Sequence, residues 1–175
     1  MSYALFNGVW VLDKSRNSNL SPLLEAMGRS RFEVSCVSSA DEIFTLELIT
    51  PKHGHKDAIT FHKKVEIYLQ DTVLKLFAMF KPSITRIKYE NQFLCDGVSR
   101  DHPNDSKSFG SCNAVCYITA DNHIIIRWYM NDKRRIMISD HFIHSDGNLI
   151  VDISISHQGK STIEVQSRKV YIKKN

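Results

Sequence analysis

The sequence predicts an all-β fold with a small helical cap, built as a barrel or sandwich of short antiparallel strands. Three observations lead there. Apolar residues recur at every second position through most of the chain, short polar turns separate these runs, and only one early stretch carries a clear helical period.

In chain order, Val9 to Asp13 is a first, weak strand. The next stretch is a helix. Pro22 suits its first position, Ser21 its N-cap and Gly28 its left-handed end, while Leu20, Leu23, Leu24 and Met27 form one apolar stripe. Arg29 to Val37 reads equally as a second helix or a strand. Alternation then takes over at Phe44/Leu46/Leu48. It continues at Ile59/Phe61/Val65/Ile67/Leu69, where Lys63 interrupts the apolar face, and at Leu74/Leu76/Ala78/Phe80. Weaker runs at Ile84 to Phe93, Ala114 to Thr119 and Ile136 to Ile143, with clear ones at Ile124 to Met130, Leu149 to Ile155 and Ile163/Val165, bring the count to about ten strands.

Turn residues punctuate these runs at Ala120-Asp121-Asn122, Asn131-Asp132, Ser145-Asp146-Gly147-Asn148 and His157-Gln158-Gly159. Short connections make neighbours antiparallel, and the lack of helices between strands excludes a parallel sheet. Phe93 to Ser111 has no apolar period and reads as an enlarged, exposed insertion.

The 175 residues, 42% of them hydrophobic, suit a single domain over 1–175 with a core of its own. No basic leader and no long uncharged apolar run is present, so the expectation is a soluble, cytoplasmic monomer. The net charge of +4, from 23 basic and 19 acidic residues, is scattered rather than patched; it argues against nucleic acid and allows transient contact with anionic membranes. The cysteines at 36, 95, 112 and 116 fit no zinc module and are expected as thiols. Cys112 and Cys116, about 13 Å apart along a strand, cannot share an ion or a disulfide. His53-Gly54-His55 lacks a third ligand nearby, so neither metal nor other cofactor is expected. None of the nucleotide-binding, metalloprotease or hydrolase motifs occurs.

Asn7-Gly8-Val9-Trp10-Val11-Leu12, the helix ending Leu24-Glu25-Ala26-Met27-Gly28, the segment Asp146-Gly147-Asn148-Leu149-Ile150, the turn at His157-Gln158-Gly159 and the closing Lys169-Val170-Tyr171-Ile172-Lys173 stand in a telling order. Together they resemble the intracellular fatty-acid- and retinoid-binding proteins of the calycin superfamily. The resemblance covers both terminal thirds and little of the middle. It implies a roughly ten-stranded antiparallel up-and-down β-barrel with a helix-turn-helix cap. It also implies non-enzymatic transport of one small hydrophobic ligand, a fatty acid, retinoid or other lipid, in an internal cavity.

That family grips a carboxylate with two arginines and a tyrosine. Tyr171 matches the tyrosine, and Lys169 stands where one arginine would be; a lysine offers no bidentate fork. The second arginine is absent. Counting back from Asp146-Gly147 puts His141 in its place, whereas the alternation of Ile136, Ile138 and Phe142 turns Asp140 inward and would let it pair with Lys169, disfavouring a fatty-acid anion. Trp128 and Ile126 are candidate wall residues, with Arg127 facing outward, and Leu23, Leu24 and Met27 are candidates beneath the cap. Two other classes are open. Asp140, His141 and Tyr171 at one mouth would permit acid–base chemistry on a lipid, and a pleckstrin-homology-like interaction module has a similar shape but ends on a helix.

Overall fold

Strands form where the alternation lies, and their register decides which side of each faces inward. The computed structural model describes residues 3–50, 59–68, 86–102, 112–130, 135–160 and 162–174. In it β1 (Gly8–Leu12) leads into two short helices, α1 (Ser21–Ala26) and α2 (Arg31–Ser38). Then come β2 (Asp41–Ile49), β3 (Thr60–Tyr68), β4 (Arg86–Leu94), β5 (Arg100–Asp101), β6 (Cys112–Ile118), β7 (Ile124–Met130), β8 (Arg135–Ile143), β9 (Leu149–His157) and β10 (Ile163–Lys173).

All ten described strands form one sheet in the order β4-β3-β2-β1-β10-β9-β8-β7-β6-β5, and each ladder is antiparallel. Apart from β4 and β5, consecutive described strands lie side by side, and the first and last meet in mid-sheet, with Leu12 opposite Tyr171. The sheet edges, β4 and β5, are joined by a corner. Cys95 N–H still donates to the Ile59 carbonyl, whereas Gly97 N–H donates to Cys116 and His102 N–H to Cys112. Phe93 stacks on His102 at 4.7 Å and meets Trp128 edge-on at 5.2 Å, so aromatic rings close the sheet into an up-and-down barrel.

The interior has two regions. Phe6, Trp10, Leu46, Leu48, Phe61 and Phe93 belong to a packed core, in which the Trp10 indole N–H donates to the Phe6 carbonyl at 2.9 Å. Under the helices the same strands enclose open space. Leu20, Leu23, Leu24 and Met27 of the predicted stripe face that space.

Three expectations change. Ser21 is not the cap: the helix starts there after Leu20, and the Asn19 side chain accepts the Ser21 N–H at 3.0 Å, leaving Pro22 in the first turn. Gly28 does close the helix at φ +80°, with its N–H donating to Glu25. The open stretch after it is a helix, and its cause was readable in Ser30-x-x-Glu33. The Ser30 hydroxyl accepts from Glu33 N–H and the Glu33 carboxylate accepts from Ser30 N–H, a reciprocal capping box that holds the carboxyl below its usual range.

The second change concerns 93–111. Its first part is only partly an exposed insertion: residues 96–99 are exposed as expected, whereas Phe93 continues the inward alternation of β4 and Arg100–Asp101 pairs with β6. Residues 103–111 lie outside the described residues, as do the strand expected at Leu74 to Phe80, the turn at Asn131-Asp132 and His53-Gly54-His55. The third is β8, whose inner face carries Met137, Ser139 and His141 rather than Ile136, Ile138 and Phe142. The apolar Ile136, Ile138 and Phe142 lie on the outer face and the polar Ser139 and His141 on the inner one, so the apolar alternation pointed to the wrong side; outside, Phe142 stacks on His123 at 4.6 Å.

Candidate functional site

Inner-facing residues of seven strands and the undersides of both helices enclose a cavity of about 480 Å³. Its wall is mainly apolar; Glu42, Lys63, Asn91, Ser139, His141 and Lys169 are polar members at inner strand positions, and Arg29 and Glu33 add charged groups at the helical end. At the helical end Phe32 belongs to the wall and is also 58% exposed, so the cavity reaches the surface there.

Lys169 and Tyr171 lie two apart on β10 and both face the cavity, while Arg168 turns outward to a bidentate pair with Asp152 at 2.7 and 2.6 Å. Val170 also turns from the cavity, beside Ile150 of β9. The inward pair converges on Glu42 of β2, a residue that sequence reasoning missed. Lys169 Nζ donates to Glu42 Oε2 at 2.6 Å and Tyr171 Oη donates to Glu42 Oε1 at 2.6 Å. Glu42 is only 5% exposed, and these two charge-assisted bonds make its burial tolerable. Burial and the Glu42 charge push the Tyr171 hydroxyl well above its usual range, so it stays a donor.

Asp140 is not part of this network. It faces outward and takes His123 Nδ1 at 2.9 Å, so the expected Asp140–Lys169 pair does not form and the acid–base trio of Asp140, His141 and Tyr171 does not assemble. The cause is the β8 register, which points His141 inward instead. There His141 Nδ1 meets the Ile124 carbonyl at 3.1 Å, which fits a proton on that nitrogen, and the ring meets Phe61 edge-on at 5.4 Å. Burial, with Lys63 nearby, pushes its pKa down to about 3, so the ring is neutral at neutral pH.

Trp128 lines the cavity, and Lys63 Nζ sits 5.0 Å from its ring centre and 5.5 Å from that of Phe93. Lys63 was the break in the β3 alternation, and that break was the signal for an inward charge. Ser139 is 5% exposed, and its Oγ has no hydrogen-bond partner among the described residues. Ile126 faces inward but is packed in the core and forms no part of the wall, a correction to its expected place. Arg127 faces outward over the Tyr117 ring, as its parity required. The expectation for Cys112 and Cys116 also needs a companion fact: Cys116 Sγ lies 3.4 Å from Cys95 Sγ, across the corner between β4 and β6. Among the described residues no helix is long and apolar enough to cross a membrane.

No family model and no curated protein matches the chain in sequence. Solved structures match it in shape. Echinococcus granulosus fatty-acid-binding protein 1 aligns with a TM-score of 0.63 at 11% identity, covering 97% of this chain and 98% of its own. Caenorhabditis elegans lipid binding protein 8 gives 0.67 at 15% identity, covering 99% of each chain. The Schistosoma mansoni fatty acid binding protein, solved with arachidonic acid, gives 0.66 at 12% identity, covering 100% of each. Such identities carry the architecture alone: with ten strands among its described residues, this chain has the capped up-and-down barrel fold of the fatty-acid-binding and other intracellular lipid-binding proteins.

Proposed function

We propose that this chain binds one small hydrophobic molecule inside the barrel and carries it without changing it chemically. The observation that supports this best is the cavity itself, about 480 Å³ of mainly apolar space roofed by two short helices. A fold built to pack fully would fill that half as it fills the other. The similarly shaped proteins described as fatty acid transporters or as bound to arachidonic acid make a lipid the first ligand class to test.

Entry needs a displaceable element, and α1 and α2 are the pieces that no strand ladder holds. Phe32, exposed at the mouth and preceded by Arg29 and Arg31, suits brief contact with an anionic membrane, where the helices would part. Action as a cytoplasmic monomer completes this reading.

The test is native mass spectrometry of the protein purified from a lysate, followed by lipid extraction and by transfer of a fluorescent lipid to vesicles. One lipid per chain, released faster to anionic than to neutral vesicles at low salt, is the expected result. Truncating Leu23 and Leu24 to alanine should speed release. A chain that neither retains lipid nor takes up an added one would defeat the proposal.

A further inference from the structure

Resting on the carrier reading, the inner wall also speaks to the head group of the ligand. We propose that the cavity selects lipids with an uncharged hydrogen-bonding head group, a hydroxyl or a carbonyl, which pairs with Ser139 Oγ. Lys169 and Tyr171 already give short hydrogen bonds to both Glu42 oxygens. A ligand carboxylate arriving there would face the Glu42 charge at close range in an enclosed apolar space, where repulsion is poorly screened. A ligand ammonium meets the opposite obstacle at Lys63, which lines the cavity beside Trp128. A neutral head group meets neither.

Ser139 supplies its partner. It sits between Met137 and His141 on the inner face of β8, in the cavity wall, 95% buried, with a hydroxyl that no described residue bonds. A buried hydroxyl without a partner is costly, and a ligand oxygen would remove that cost. The hydroxyl can donate to a carbonyl or exchange bonds with an alcohol. His141 beside it is neutral and adds no charge to favour an acid.

The experiment is displacement of diphenylhexatriene, a hydrocarbon dye with no hydrogen-bonding group, by dodecanol, dodecane, methyl laurate, laurate and dodecylamine. Dodecanol and the ester should compete at about tenfold lower concentration than laurate or the amine. Ser139→Ala should weaken dodecanol about fivefold relative to dodecane, and Glu42→Gln should strengthen laurate about tenfold by removing the opposing charge. Should Glu42→Gln not fold, the Ser139→Ala result decides alone. With diphenylhexatriene bound by the parent, a preference for laurate that Lys63→Met abolishes would overturn the inference and leave the carrier reading intact, and an unchanged ratio of dodecanol to dodecane affinity in Ser139→Ala would do the same. Failure of the parent to bind any probe, diphenylhexatriene included, would sink both.

An independent observation carries a second inference. We infer that Cys95 and Cys116 form a reversible disulfide when hydrogen peroxide is present. They lie on different segments, their sulfurs are 3.4 Å apart, and both backbones are anchored: Cys95 N–H donates to Ile59, and the Cys116 carbonyl accepts from Gly97 N–H. Cys95 is half-buried and Cys116 buried, so the first is the sulfur an oxidant reaches. The Cys116 thiol as hydrogen-bond donor favours the Cys95 thiolate, whose pKa is lowered while that of Cys116 is raised. The Cys95 thiolate attacks the peroxide oxygen, the O–O bond breaks, and with one proton taken up the products are a sulfenic acid and water. Cys116 then attacks the sulfenic sulfur and a second water leaves. Two thiols are oxidised and one peroxide is reduced.

Treatment with hydrogen peroxide, alkylation of remaining thiols and peptide mass spectrometry test this. The expected product is a Cys95–Cys116 linked peptide that is short of two hydrogens and restored by dithiothreitol, with Cys36 and Cys112 alkylated. It should be missing from Cys95→Ser and Cys116→Ser. Intact thiols at both positions, or a sulfinic acid at Cys95 in place of the link, would overturn the inference.

Discussion

The two halves of the barrel interior are built from the same strands and differ in kind. On β2 the inner positions pass from Leu46 and Leu48 in the packed half to Glu42 in the hollow half; on β3 they pass from Phe61 to Lys63, and on β4 from Phe93 to Asn91. Large apolar side chains fill space, and polar ones need partners, so inward polar residues cluster where the wall faces open volume. An inward charge in a strand that otherwise alternates is therefore a marker for a cavity. The outer face obeys another rule: Asp152 and Asp140 pair there with Arg168 and His123 in contact with solvent.

If the division is real, equivalent truncations cost unequal amounts. Phe61→Ala should lower unfolding free energy by about 3–5 kcal/mol, because the packed half cannot collapse around the void. Val65→Ala, two positions further along the same inner face, should cost about 1 kcal/mol, since its side chain borders open volume. Urea titrations with unchanged slope measure both, and equal losses would break the distinction.

Inner and outer carboxylates should differ as sharply. Glu42→Ala strands the Lys169 charge in the interior and should cost about 3–5 kcal/mol, whereas Asp152→Ala releases an arginine that solvent already reaches and should cost about 1 kcal/mol or less. Should the two variants melt alike, the Glu42 network would be no more buried than a surface pair.

Third in size is a pH effect. Folded His141 takes up a proton only near pH 3, whereas in the unfolded chain it does so near 6.5. Between those values the unfolded state binds more protons, so stability falls as pH falls, by about 1.4 kcal/mol per unit and about 2 kcal/mol by pH 5. The carboxyls with lowered pKa, Glu33, Glu90 and Asp96 among them, act in the same direction at lower pH, which leaves pH 5 to 6.5 to the histidine. Denaturation at pH 7 and pH 5 should show the loss in the parent and much less of it in His141→Asn. A parent equally stable at both would contradict the buried, neutral ring.

The smallest effect tests the roof. Ser30→Ala removes half of the capping box and should cost about 1 kcal/mol, felt chiefly in α2. Amide exchange should rise in Arg31–Ser38 and stay unchanged in β7–β9, with faster release of a bound dye. Uniform exchange throughout would mean that the helices are not a separable cover.

By itself the sequence determined the described strands other than β5, their antiparallel order and the early helix, because side-chain alternation and turn chemistry are local properties. The capping box at Ser30 and the inward break at Lys63 were equally local signals. Tyr171 and Lys169 could be placed on one inner face by their two-residue spacing alone. What they bond to could not, since Glu42 reaches them only through the ladders from β2 across β1 to β10. The direction of His141 and Asp140 was likewise undecided, because counting back from the turn and the apolar alternation disagreed; β8 carries Ile136, Ile138 and Phe142 outside, and only its pairing with β7 and β9 sets the parity. Cys95 and Cys116 became neighbours through a corner that no local pattern announces. Periodicity within a strand is written in its residues; contacts between strands distant in sequence, and the empty volume they enclose, exist only after the sheet has closed.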